Sequence, residues 1–172
     1  MAEKEHDFVK LARETVEEYA LTGKIKEVKE PIPPALKKKA GVFVSIKKEG
    51  KLRGCIGTIQ PTEENIAREI ISNALSAANR DPRFPPVRPD ELSKLEYSVD
   101  ILGEPEEIDS IEELDPQKYG VIVEKGYRRG LLLPDLEGIA TAEEQVVIAK
   151  RKAGLSPEEE VKLYRFQVKR YK

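Results

Sequence analysis

The one cysteine of this chain stands between two glycines, in Leu52-Arg53-Gly54-Cys55-Ile56-Gly57-Thr58. A thiol becomes a nucleophile by ionising, and a guanidinium beside it favours the thiolate, drawing its pKa down from about 8.5. On period-two strand geometry Arg53 and Cys55 share a face, and Gly57 leaves room beside them. Glycine inside a strand marks a bulge or a close approach by backbone or ligand. The competing reading is a small buried thiol in a tightly packed hairpin. The one histidine, His6, lies near the chain's start, where fraying is expected, so any general base is a carboxylate, a tyrosine or water.

A second constellation is Asp81-Pro82-Arg83-Phe84-Pro85-Pro86-Val87-Arg88. A stiff loop carrying one acid and two guanidiniums can orient a carboxylate or phosphate in bidentate fashion. It can equally be an Asp81 to Arg83 ion pair with Phe84 as an apolar plug. The third group, Glu124, Arg128, Arg129 and Asp135, brackets a hairpin and reads more simply as cross-strand pairs. Asp100, Glu124 and Asp135 lack any diagnostic metal spacing, and Lys150, Arg151 and Lys152 complement a helix C-terminus.

The elements that hold these residues follow from periodicity. Phe8, Leu11, Ala12, Thr15 and Tyr19 predict an amphipathic helix over 3–22 that stops at Gly23. Pro31 to Pro34 break the chain, and Lys37, Lys38 and Lys39 form a solvated run. Residues 42–58 read as a β-hairpin turning at Glu49-Gly50, and Pro61-Thr62 opens a helix to 79. Leu95, Tyr97, Val99 and Ile101 alternate with polar residues as a strand, and 104–120 is turn-rich. A second hairpin turns at Lys125-Gly126, and Thr141 with Glu144 forms a capping box for a helix over 142–153. Ser156-Pro157-Glu158-Glu159 resembles another helix start, and 163–171 forms a final strand. No internal repeat is evident. Six strands, mostly in hairpins, and three longer helices predict one α+β domain over 1–172, an antiparallel β-sheet flanked by helices.

Composition bounds the function. Lys+Arg 30 against Asp+Glu 32 leaves a net charge of -2, which offers no global field for nucleic acid. One cysteine and one histidine cannot build the usual zinc or iron-sulfur sites, so no metal and no cofactor is expected. No run reaches the ~20 apolar residues of a membrane span, and MAEKEHDF lacks a signal-peptide layout, so the chain reads as cytoplasmic. The abundance of charge and scarcity of Met, Cys and Trp lean towards a thermophile.

LRGCIGTI (52–59), NALSAANRDPRFPPV (73–87), LEYSVDIL (95–102), YGVIVEKGYRRGLLLPDLEG (119–138), EEQVVIAKRKAG (143–154) and LYRFQVKRY (163–171) together resemble the AMMECR-type domain family, in order, over nearly the whole chain. The resemblance implies an α+β fold with a smaller lobe and a cleft near the RGCIG segment. In prokaryotes it also implies the company of a Memo-like protein and a radical SAM protein, and it brings no established activity. The carried-over site is Arg53, Gly54, Cys55, Ile56 and Gly57 with the loop 81–86. The family usually has an acidic residue where this chain has Ala140. Three functions follow: a binding or accessory module for a small anionic ligand or a partner, anchored by Arg53, Gly54, Gly57, Asp81, Arg83 and Arg129; an enzyme with Cys55 as nucleophile; and, least supported by charge, a nucleic-acid-binding regulator.

Overall fold

A computed structural model describes residues 4–172. The chain divides into two compact units, Met1–Ile101 with Lys169–Lys172, and Leu102–Val168. Both are α+β.

In the first unit, α1 (Asp7–Thr22) starts at His6, whose imidazole accepts a hydrogen bond from Phe8 N. His6 is thus a helix cap, its ring stacked near Phe8 and Tyr171, and not part of a frayed end. Gly23, at φ 74°, closes the helix as expected. The buried face is Phe8, Val9, Ala12, Thr15 and Val16, while Tyr19 is exposed. After a short α2 (Pro34–Lys37), β1 (Val42–Lys48) and β2 (Lys51–Gly57) form the expected hairpin.

The helix expected from residue 62 begins later, as α3 (Ile66–Asn79) capped by Asn65. Glu69, fully buried, accepts from the Thr62 amide and hydroxyl at 2.6 and 2.9 Å and from Glu63 N, which holds residues 62–63 in a loop. A 3-10 helix (Pro89–Lys94) leads into β3 (Leu95–Leu102). The core face of this sheet carries Val42, Val44, Ile46, Tyr97 and Val99, with the small residues Ala74 and Ala77 of α3 in the same buried cluster.

The second unit holds β4 (Glu106–Ile108), β5 (Gly120–Lys125), β6 (Arg128–Leu132), α4 (Ala142–Lys152) and β7 (Lys162–Phe166). Its core packs Val121, Val123 and Leu132 with Val146 and Ala149 of α4. β4 was hidden in the turn-rich stretch because it is three residues long with one buried side chain. Residues 156–159 form a turn and no helix: Glu159 accepts from Ser156 N at 2.7 Å.

The expected single strand 163–171 is two strands. It breaks at Gln167, whose carbonyl accepts from Gly103 N, and continues as β8 (Val168–Tyr171). β7 joins the antiparallel order β4-β7-β5-β6, and β8 joins β2-β1-β3-β8. Alternation reports which face is buried and is silent about which strand supplies the hydrogen bonds, so six expected strands become eight among the described residues.

An internal similarity missed in the sequence appears here. Both hairpins carry Gly-x-x-Arg-Gly, as Gly50 to Gly54 and Gly126 to Gly130, with the first glycine at positive φ in the turn. A Cβ on the second glycine would strike a helix carbonyl, that of Ala77 for Gly54 and that of Ala149 for Gly130.

Candidate functional site

Gly54 pairs with Ile46 and Leu52 with Lys47, so Arg53 is the extra residue of a β-bulge. The bulge releases Arg53 from its place beside Cys55. Its guanidinium is bidentate to Glu91, Nε to Oε1 at 3.0 Å and Nη2 to Oε2 at 3.1 Å, with both side chains buried. Glu91 also receives Lys48 Nζ at 3.0 Å and Arg88 N at 2.9 Å. Hydrogen bonding from Arg53 first, then from the Arg88 amide and Lys48, pulls its pKa down to about 2 against the opposing effect of burial. Sequence reasoning missed Glu91, although Arg88-Pro89-Asp90-Glu91 is a helix start with proline first and an acid at the third position.

Cys55 stands opposite Ser45, with thiol and hydroxyl 3.2 Å apart. Its amide donates to Asp81 Oδ2 at 3.1 Å. Asp81, buried, takes Arg83 Nε at 3.0 Å, Arg83 Nη2 at 2.7 Å and Arg83 N at 3.1 Å. The Arg83 guanidinium above all holds this carboxyl well below the usual carboxylate range. The proline-rich loop is therefore bolted to β2, and the Asp81 to Arg83 ion pair is the one that forms. Phe84 lies 6.0 Å from the Arg53 guanidinium carbon and 5.5 Å from that of Arg83.

Of the two readings of Cys55, its surroundings favour the unactivated thiol. Burial pushes the Cys55 pKa up, and the charges of Asp100 and Asp81 add to it, outweighing the Ser45 hydrogen bond and the Arg83 charge. Asp100 is itself buried and paired to Arg170 at 2.8 and 3.1 Å. In iodoacetamide labelling between about pH 6 and 9, the native thiol is expected to react more slowly than that of the unfolded chain at every pH. A native rate above the unfolded one would contradict this environment.

Both glycines are packed against protein on the side that a Cβ would take. The room beside Gly54 is filled by the Ala77 carbonyl, and that beside Gly57 by the Phe43 ring. Arg129 belongs to the second unit, where it pairs with Glu124 across its own hairpin at 3.1 Å. Ala140 is exposed and precedes Thr141, the cap of α4. Among the described residues no group of three or more His, Cys, Asp or Glu is placed to hold a metal ion, and no helix is long and apolar enough to cross a membrane. The site thus consists of two carboxylate-paired arginines around Phe84, with Cys55 held beneath by its backbone.

The family described as AMMECR1 matches residues 9–171, across both units. A Thermotoga maritima protein is 56% identical over 171 residues, covering 98% of each chain. A longer Clostridium acetobutylicum protein is 52% identical over 167 residues, 96% of this chain and 36% of that one. The crystal structure of an uncharacterized protein from Pyrococcus horikoshii superposes with a TM-score of 0.88 at 37% identity, covering 95% of this chain and 88% of that one.

Proposed function

The chain belongs to the AMMECR1 family, and from that premise we propose that it is a binding module receiving a small monocarboxylate at Arg53, Arg83 and Phe84. Arg53 Nη1 carries the reading: it is buried and has no hydrogen-bond partner among the described residues. A buried donor left unpaired costs about 1–3 kcal/mol, more for a charged group, and an incoming acceptor oxygen removes that cost. Arg83 likewise commits Nε and Nη2 to a carboxylate, and its side chain is 55% exposed. Arg53, Arg83 and Lys48 against Glu91 and Asp81 leave one net positive charge at the site, so an acceptor with one charge suits it better than a phosphate dianion, whose second charge would lie uncompensated. The raised pKa of Cys55 favours this reading over a cysteine nucleophile. A Memo-like protein and a radical SAM protein are the partners to test for exchange of the ligand.

Isothermal titration with a panel of small monocarboxylates, and with inorganic phosphate, tests the reading. At least one monocarboxylate is expected to bind while phosphate at the same concentration does not. Arg83→Gln should weaken that binding about tenfold or more, the value of a hydrogen bond to a charged group, when titrated at a temperature where circular dichroism shows the variant still folded, since loss of the Asp81 ion pair also lowers its stability. Silence across the panel, or unchanged affinity in Arg83→Gln, refutes it.

A further inference from the structure

Between α1 and α2, residues 24–30 read Lys-Ile-Lys-Glu-Val-Lys-Glu. They lie outside every helix and strand, and no backbone group of residues 25–30 has a hydrogen-bond partner among the described residues. Ile25, Glu27, Lys29 and Glu30 are exposed while Lys26 and Val28 are half-buried, so residues 25–29 alternate as a strand lying on a surface does. Lys26 anchors the inner side to α1 through Glu14 Oε2 at 3.0 Å. Towards α3 an open hollow of about 650 Å³, lined by Ile25, Val28, Ile71 and Leu75 among others, leaves the flank of the segment uncovered. Free N–H and C=O groups along such an edge are a template for another strand.

The side chains specify which strand. Laid antiparallel against itself about Val28, the segment sets Lys26 against Glu30, Glu27 against Lys29 and Val28 against Val28. A two-fold axis makes each charged pair occur twice. Moving the axis one residue to Glu27 sets that carboxylate against itself and Ile25 against Lys29, so charge selects the register about Val28. Glu27, Lys29 and Glu30 have no ion-pair or hydrogen-bond partner among the described residues, and are available for these contacts. We propose that residues 25–30 are the contact through which two copies of this chain form an isologous dimer, by antiparallel strand pairing about Val28. Pro31 has no N–H and ends the ladder. So short a ladder falls below the roughly 1,200–2,000 Å² of a standard interface, and the dimer is weak, with Kd on the order of 10–100 μM.

Sedimentation velocity from about 5 to 500 μM, without ligand, tests this independently of the carboxylate site. The wild type is expected to pass from monomer to dimer over that range. Glu27→Lys, which opposes Lys29 with a like charge in both halves, should weaken the dimer about tenfold or more. The double variant E27K/K29E reverses both charges and should restore association to within about threefold of wild type. Circular dichroism melts that coincide for all three proteins establish that the fold is intact. A monomer throughout, a dimer indifferent to Glu27→Lys, or a double variant no better than the single one overturns the proposal.

Discussion

Replacing Gly54 with alanine is expected to lower the melting temperature by roughly 6 to 12 °C, from a loss of about 3 kcal/mol at 2 to 4 °C per kcal/mol. The added methyl would meet the carbonyl of Ala77, a backbone atom inside α3 that cannot rotate away. Either α3 lifts from the sheet or β2 bends. Both open the core where Ile46, Ile70, Ala74 and Ala77 are buried to 1% exposure or less. Gly50→Ala is the control: Gly50 sits at φ 80°, and a methyl added there would have nothing within 4 Å, so its substitution carries only the left-handed backbone strain. That costs about 1 kcal/mol. Calorimetry of both variants separates the two causes. Equal losses at the two positions would mean that α3 does not depend on the close approach.

Glu91→Gln should cost about 3–5 kcal/mol near neutral pH, the penalty for removing one partner of a buried ion pair. The amide keeps the shape but cannot balance the buried Arg53 guanidinium, and Lys48 loses its anion as well. The sign of the pH dependence follows from the depressed pKa. Glu91 at about 2 in the folded chain titrates below its unfolded value of about 4.3. Its stabilisation is therefore complete above about pH 5 and is lost as pH falls through about 2. Asp81, depressed by Arg83, acts with the same sign. Urea unfolding of wild type and variant at several pH values should show a deficit that is largest near neutrality and shrinks on acidification. A constant deficit, or one below about 1 kcal/mol at neutral pH, would contradict this account of the site.

Much of the local structure was written in the sequence. The two hairpins turn where Glu49-Gly50 and Lys125-Gly126 place them, Gly23 and Gly154 lie at positive φ after their helices, and Thr141 caps α4. These signals involve residues close in the chain, and turn and cap chemistry is local. Family membership was legible too, because many short blocks agreed in order between 52 and 171, and the family match spans 9–171.

What escaped the sequence was decided by contacts between distant residues. Glu91 finds Arg53 across 38 positions, Arg170 finds Asp100 across 70, and Glu69 stops α3 short of its propensity-based start. The bulge at Arg53 undoes the expected pairing with Cys55, because one extra residue turns the guanidinium out of strict alternation and towards Glu91. The division of 162–171 between two sheets has the same origin: a strand's pattern shows a buried face, while its edge partners are chosen only when the whole chain has folded. The sequence by itself determined the elements, their turns and the family. Tertiary structure decided which charges meet, which donor of Arg53 is left unpaired, and that Cys55 is a half-buried thiol beside Ser45, because those outcomes depend on long-range packing that no periodicity encodes.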